Sequence, residues 1–558
     1  MNASIAGRQE GEDQARAVAQ RPTASDRFSG FGRAWLLAGL VCGMLGRATA
    51  EATTPVVEQW GMHEIALRGP SAGNPFWDVR LSARFLQGYE MLEVEGFYDG
   101  DGRYSVRFMP PRPGRWQWRT LSNVPELDGQ SGELEVNPPG PGNHGPVRVA
   151  HRHHFAYADG RPFRPVGTTV YAWIHQPEPL QQQTLETLAR NPFNKLRFCV
   201  FPKRYAWNTN EPDLYPFEGR PGAFDTARFN PLFFRRLERR IMDLQRLGIE
   251  ADVILFHPYD DGHWGFDRMT PLEDDRYVRY VVARLAAFRN VWWSLANEFD
   301  FMTQKRDEDW ERIGQLVAQR DPYGHLLSIH NGKRLFPQTR SWLTHASIQN
   351  GSAVETAAAA VLYRDAFEKP VVYDEIKYEG NLPRRWGNLS AEELVHRFWN
   401  ATVAGTYATH GETYLSPDEV IWWSKGGVLK GQSPPRLGFL RRVLEEAPPE
   451  GIEPVDKWQN PEYGGRAPDF YLVYLGKTTQ RRWPFRLPRP PQGTGGPPQD
   501  GMRYRVEILD TWNMTVTPVP GTFTVTRLDD YFHADREGRA VELPERPYLA
   551  LRIWRVRD

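Results

Sequence analysis

Between His151 and roughly residue 450, apolar strand-like runs alternate with amphipathic helical stretches eight times over. This alternation constrains the fold more than any other feature, because strands separated by helices pair in parallel. The runs are "FRPVGTTVYAW", "FNKLRFCVF", "IEADVILFHPY", "VWWSLANEFD", "LLSIHN", "ASIQNG", "VVYDEI" and "YATHGETY". Before the third run, "NPLFFRRLERRIMDLQRLGI" repeats Phe233, Leu237, Ile241 and Leu244 on one helical face. Before the fourth, Val278, Val281, Leu285 and Phe288 recur at the same spacing. Eight such units over roughly 280 residues match a (β/α)8 barrel in size. The fifth and sixth runs are the weakest, since "GKRLFPQTRSWLTH" between them is hardly helical. A doubly wound open sheet is the alternative, although no G-x-G-x-x-G follows the first run.

Both flanks read as antiparallel β-sandwiches. "DVRLSARFL", "EVEGFYDGDGRYSVRFMP" and "GRWQWRTLS" alternate with period two around Asp-Gly and Pro-Gly turns, and "VNPPGPGNHGP" then breaks the chain as a linker. Beyond "APPEGIEPVDKW" the strand pattern returns in "FYLVYLG", "YRVEILDTWNMTV", "GTFTVTRL" and "PYLALRIWRV", interrupted by the long loop "LPRPPQGTGGPPQDG". The expected organisation is a sandwich over 51–142, a catalytic barrel over 143–450 and a second sandwich over 451–558.

At the start of the chain, Arg33 precedes the apolar run "AWLLAGLVCGML", too short for a bilayer span of about 20 residues. Ala48-Thr49-Ala50 follows with the small-residue pattern of signal peptidase. Residues 1–50 therefore read as a signal peptide, with an uncleaved anchor or a mis-called start codon as the alternatives. Cleavage leaves Cys199 as the sole cysteine, so no internal disulfide can form. A secreted or periplasmic bacterial protein with no membrane attachment after cleavage is expected. Lys+Arg and Asp+Glu balance at 69 each, which offers no excess charge for nucleic acid. The pattern says nothing of oligomeric state.

In a (β/α)8 barrel the reacting groups sit at the C-terminal strand ends. Two acids fit that position: Glu298 closes the fourth run and Glu375 the seventh. Strands three apart in a ring of eight face each other across the mouth. Two carboxylates placed so can approach to about 5 Å, the spacing of a retaining glycosidase, and one then gains a raised pKa.

Asn297-Glu298 on the fourth strand and Glu375 on the seventh resemble the clan A (β/α)8 glycoside hydrolases. That resemblance implies Glu298 as acid/base, Glu375 as nucleophile and Asn297 as a contact to the sugar 2-hydroxyl. It also implies that Arg197, on the second strand, braces Glu375, and that neither metal nor cofactor is needed. More closely, "FRPVGTTVYAW", "WWSLANEFD", "YDEIKYEGNLPRRWGN", "GTYATHGETY" and "IWWSKGGVLKG" resemble the apiosidase-like bacterial glycosidases, whose barrels carry similar flanking sandwiches. A carbohydrate substrate follows from the resemblance; the particular sugar does not.

Other side chains near predicted strand ends are candidate substrate contacts. His257 and Tyr259 are expected to hydrogen-bond substrate, and Trp173, Trp264, Tyr378, Trp386 and Trp422 to offer stacking faces. His330 and His410 fall at strand ends with either ligand or structural roles open, and Glu412 and Glu379 are rival acids able to bind a sugar hydroxyl. The second Asn-Glu, Asn210-Glu211, lies in a Pro-rich irregular segment and reads as a loop or subsite element. "HPYDDGHW" offers His257, Asp260, Asp261 and His263 to a divalent ion, but at no standard zinc spacing. The rivals to a hydrolase are a non-catalytic carbohydrate-binding protein on a degenerate barrel and a transglycosylase.

Overall fold

The computed structural model describes residues 54–489 and 496–557. The signal-peptide reading and the centre of the "LPRPPQGTGGPPQDG" loop lie outside them.

All eight expected barrel strands form. They are β1 (Gly167–Thr169), β2 (Lys195–Cys199), β3 (Glu250–Phe256), β4 (Val291–Ala296), β5 (Leu327–Ser328), β6 (Ala346–Gln349), β7 (Val371–Glu375) and β8 (Tyr407–His410). Every pairing is parallel, in the spatial order β5-β4-β3-β2-β1-β8-β7-β6. The ring closes between β5 and β6 through one parallel bridge, His330 to Ser347. Thr344 reinforces this seam, its backbone N–H donating to Leu327 O at 2.9 Å. Strands covered on both faces must be apolar or internally paired throughout. Accordingly all seven residues of β3 and all six of β4 are buried.

The helices are α1 (Glu178–Ala189), α2 (Pro231–Arg246), α3 (Pro271–Leu285), α4 (Asp307–Arg320), α5 (Ala357–Phe367), α6 (Ala391–Val403) and α7 (Ser433–Glu445). No helix joins β5 to β6 among the described residues, as the sequence between them foretold. The predicted stripe of α2 is buried, and Asn230 caps its first turn by accepting from Leu232 N–H at 3.1 Å. α3 starts from a capping box, Thr270 with Glu273.

The open N-terminal end of the barrel is covered by a three-stranded sheet (Val147–Ala150, His154–Tyr157, Pro162–Phe163). Its Phe155 and Phe163 pack on Trp292 of β4.

The flanking sheets fold over as sandwiches. Strand Glu90–Tyr98 pairs with Leu81–Gln87 through its first half and with Arg103–Phe108 through its second. The sheet turns back at Gly96, where a Cβ would stand 2.8 Å from Leu81, and Phe85 thereby stacks on Phe108 at 3.9 Å. Strands His63–Arg68, Gly114–Ser122, Ser131–Asn137 and Val56–Glu58 complete it. The C-terminal nine-stranded sheet runs from Glu453–Asp456 to Leu549–Val556 in sequence and is antiparallel throughout, with Phe485 stacked on Phe523 in its core.

Candidate active site

Glu298 lies two residues beyond the end of β4, and Glu375 is the last residue of β7. Both carboxyl groups face the barrel mouth, and three side chains tie them together. Tyr259, beyond β3, donates its hydroxyl to Glu298 Oε2, and Tyr171, beyond β1, donates to Glu375 Oε1. Gln349 ends β6 in register with Glu375. With its amide nitrogen turned to the acids, it donates to Glu375 Oε2 at 3.0 Å and to Glu298 Oε1 at 3.3 Å. The two carboxylates are therefore no farther apart than two hydrogen bonds laid end to end.

Glu298 also has left-handed backbone geometry, φ 53°, which a non-glycine residue holds only where its surroundings enforce it. His330 N–H and Ala296 O, 3.1 Å apart, pin the turn around it, and Asn297 donates to Glu298 Oε2 at 3.1 Å.

Beneath the acids lies a buried charged layer. Lys195 Nζ is 2.7 Å from both Asp252 and Asp374, and Asp374 also accepts from Thr409 at 2.7 Å and Ser347 at 2.5 Å. Arg197 belongs here. The expected direct pair with Glu375 does not form; its ion pairs are to Asp252 at 3.4 Å and Asp374 at 3.8 Å, one residue earlier. The alternation of β7 explains the difference, since Asp374 points into the barrel while Glu375 stands at its rim. Arg197 reaches Glu375 only through its field.

These surroundings separate two chemically identical acids. Burial, and next the charge of Glu375, push Glu298 up to about 7, against the pull of Lys203, Tyr259 and Gln349. Burial pushes Glu375 upward too, but His330, Tyr171 and Arg197 outweigh it and hold the acid at about 2. His330 Nε2 is 3.6 Å from Glu375 Oε1, and its Nδ1 is fixed by Ser347 at 3.0 Å. Burial and the charge of Glu298 raise Tyr259 far above its ordinary range, so it stays protonated as a donor. One acid thus keeps its proton up to about pH 7 while its neighbour is ionised, the combination that proton donation and nucleophilic attack require.

The fold brings Asn297, Tyr259, His330 and Tyr378 to the two acids and leaves other candidates elsewhere. His257 accepts from Tyr259 N–H at 3.1 Å and lies 3.2 Å from Phe201 O, so it shapes the loop that carries Tyr259. Trp173 is fully buried against Phe198 and donates to Gln181 O at 3.1 Å, while Trp422 donates to Thr168 at 2.9 Å inside the core. Neither offers a face to the mouth. Instead the adjacent Trp423 joins Tyr205, Trp207, Tyr378 and Trp386 in an aromatic wall. Trp264 donates to Glu211 at 2.9 Å, and Glu211 also binds Tyr215 and His263, so the second Asn-Glu clasps two loops.

Glu412 and Glu379 point away from the acids. Glu412 accepts from Lys430 N–H at 2.6 Å and Gly431 N–H at 2.7 Å; Glu379 accepts from Gln432 N–H at 2.7 Å and Ser433 Oγ at 2.5 Å. With a ring nitrogen of His410 they gather within 4.8 Å, a possible cation set. The donors arrayed on both carboxylates instead make them an anchor for the loop entering α7. The "HPYDDGHW" residues do not converge: Asp260 accepts from Trp264 and Phe266 N–H, each at 2.6 Å, and His263 turns to Glu211.

Sequence reasoning missed three residues. Gln349 occupies the same strand-end position on β6 that singled out the two acids. Tyr171 lies near the end of the first run, and Lys203, just beyond β2, sits beside Arg204 among the aromatic residues of "FPKRYAW".

A family model for the apiosidase-like catalytic domain matches residues 150–436, and two domains of unknown function, DUF5060 and DUF5605, match 56–123 and 458–554. A candidate glycoside hydrolase from Bacteroides vulgatus, known from its crystal structure, is 44% identical, with 90% of this chain and 100% of that one covered at a TM-score of 0.87. A family 5 glycoside hydrolase from the same species shares the fold at 14% identity and a TM-score of 0.53, over 74% of this chain and 94% of its own. No curated protein matches. By the extent of these matches, the chain belongs to the apiosidase-like family.

Proposed function

We propose that this protein is a glycoside hydrolase that cleaves O-glycosidic bonds of an oligo- or polysaccharide with retention of configuration. The observation that carries the reading is the single Gln349 amide nitrogen within hydrogen-bond reach of both Glu298 and Glu375. Carboxyl groups sharing one donor lie on the short side of the roughly 6.5–9.5 Å that an inverting mechanism needs for its water, which supports retention.

Glu298 is the general acid. It delivers its proton to the glycosidic oxygen while Glu375 attacks the anomeric carbon, so the C–O bond to the leaving group breaks as the ester to Glu375 forms. Glu298, now a carboxylate, takes a proton from water, and the resulting hydroxide displaces Glu375. Asn297 contacts the sugar, its Oδ1 having no partner among the described residues. Tyr171 and His330 keep Glu375 ionised for attack, and Gln349 fixes the gap.

The proposal carries with it a secreted or periplasmic location, with the sandwiches over 51–142 and 451–558 bracing a catalytic barrel over 143–450. No helix among the described residues is long and apolar enough to cross a membrane.

Glu375→Gly tests the mechanism. It is expected to lose turnover by at least about 10⁴-fold and, with azide added, to yield a glycosyl azide of inverted configuration. Near-normal activity would remove Glu375 from its role. Products longer than the donor would make the enzyme a transglycosylase.

A further inference from the structure

Lys203 is buried beside the two acids, 1% exposed, and forms no ion pair or side-chain hydrogen bond among the described residues. Its ammonium lies 3.8 Å from the ring centre of Tyr171 and 4.0 Å from that of Tyr259, the two residues that donate to Glu375 and Glu298. Tyr205 at 4.9 Å and Trp423 at 5.6 Å complete the cage. The cation is thus held against the faces of the two tyrosines that serve the acids, beside the place where the transferred sugar must sit and beyond ion-pair distance of either carboxylate.

Two other buried lysines pair with carboxylates. Lys195 has Asp252 and Asp374, each at 2.7 Å, and Lys305 has Asp274 at 2.6 Å. Lys203 is enclosed by aromatic faces, with Glu298 and Glu375 acting on it only through their field, and this leaves its N–H donors unused. Beside it, Trp423 Nε1 is also buried without a partner among the described residues, and the hydroxyls of Tyr205 and Tyr378 line the same cage. An ammonium and an indole N–H can only donate. A neutral sugar hydroxyl brings a proton of its own to such a set, whereas a carboxylate brings acceptors alone. Unused buried donors are costly, and a charged acceptor recovers the most.

Building on the glycosidase reading, we propose that Lys203 and this donor wall bind the carboxylate of a uronic acid, so that the enzyme acts on acidic glycans with a uronosyl residue in the transferred position. Lys203 is then a specificity-determining residue rather than one that moves a proton.

The test compares 4-nitrophenyl glucuronides and galacturonides with the matched glucosides and galactosides, in both anomeric forms. The wild-type enzyme is expected to favour a uronide over its neutral counterpart by at least tenfold in kcat/KM. Lys203→Met should lower that ratio tenfold or more, and Lys203→Arg should retain most of it. A preference for neutral glycosides, or a ratio unchanged in Lys203→Met, overturns the inference while leaving the glycosidase reading intact. If no glycoside is cleaved, the proposed function falls instead. Calorimetry then decides the carboxylate site, with free D-glucuronate and D-galacturonate against D-glucose and D-galactose. Tighter uronate binding that Lys203→Met abolishes supports the site; equal or absent binding overturns it.

Discussion

Two glutamates within reach of one amide acquire opposite protonation states from their partners alone. Glu298 is buried beside a negative charge, and Glu375 is ringed by Tyr171, His330 and the field of Arg197. The alkaline limb of kcat/KM should therefore fall at about 7, where Glu298 loses its proton. The Tyr259 hydroxyl favours the ionised form of Glu298, so Tyr259→Phe should move that limb to higher pH and lower kcat/KM by about tenfold. A limb that stays put would detach Tyr259 from the acid.

The same residue has a stability consequence. Its pKa in the folded protein, about 7, lies above the ordinary value of 4.5. The folded state then holds a proton that the unfolded chain gives up. The favourable contribution is complete below the lower value and is lost as pH rises through the higher. Glu298→Gln, fixed in a neutral form, should match wild type near pH 4 and exceed it by up to about 3 kcal/mol at pH 8. Denaturant midpoints at the two pH values check this. Strand-end placement made Glu298, Glu375, Tyr259 and His330 legible in the sequence. It confused Trp422 with Trp423, because a one-residue difference in a short turn decides which ring faces the mouth. Gln349 and Lys203 escaped because an amide and a lysine look ordinary until their partners are known.

Among the elements, the barrel strands carry a layer that apolar periodicity hides. Lys195, Arg197, Asp252 and Asp374 sit inside runs otherwise as hydrophobic as "VVY" and "ADVILF", and they are fully buried. Each needs the others, since a lone charge there would be left unpaired in a medium of low polarity. Burial works to raise Asp374, but Arg197 and Lys195 overcome it and hold the carboxyl far below its usual range. Its stabilisation is therefore present above the unfolded carboxylate pKa and vanishes as pH falls through the folded one. Lys195→Met should cost about 3–5 kcal/mol at pH 7, because it strands two carboxylates. A variant as stable as wild type would show that the layer is dispensable. The eight strands themselves were legible because burial on both faces writes an apolar run. Strand β5 was faint because only Leu327 and Ser328 pair, and the ring closes there by one bridge. Strand Ser131–Asn137 went unread for a similar reason: only Leu134 and Val136 are apolar within it.

Across the whole molecule, the N-terminal sandwich and the barrel share one hydrophobic core, and a buried ionic relay crosses between them. Arg107 of the sheet meets Glu238 of α2 at 2.8 Å and Glu64 of its own sheet at 2.8 Å. Arg284 of α3 bonds Glu238 at 2.5 Å and reaches back to Asp99 of the sheet at 2.8 Å. None of this was visible in the sequence, where Arg284 and Asp99 lie 185 positions apart and the five residues read as surface charge. Such a relay makes the sandwich part of the folding unit rather than an appendage. Burial works to raise Glu238, but Arg284 and Arg107 overcome it and lower the carboxyl below its ordinary value. Its contribution is then complete above the unfolded carboxylate pKa of about 4.3 and is lost as pH falls through the lower folded value. Glu238→Gln leaves two buried guanidinium groups without their shared carboxylate, at a cost of about 3–5 kcal/mol. In a chain of this size that corresponds to a melting point roughly 3–5 °C lower. At pH 7 the calorimetric transition of sheet and barrel should stay single and move down together. The gap from wild type should narrow as the pH drops below about 4, where Glu238 becomes neutral in both states. Two separate transitions, with only one displaced, would show instead that the sandwich folds independently of the barrel and that the relay does not join them.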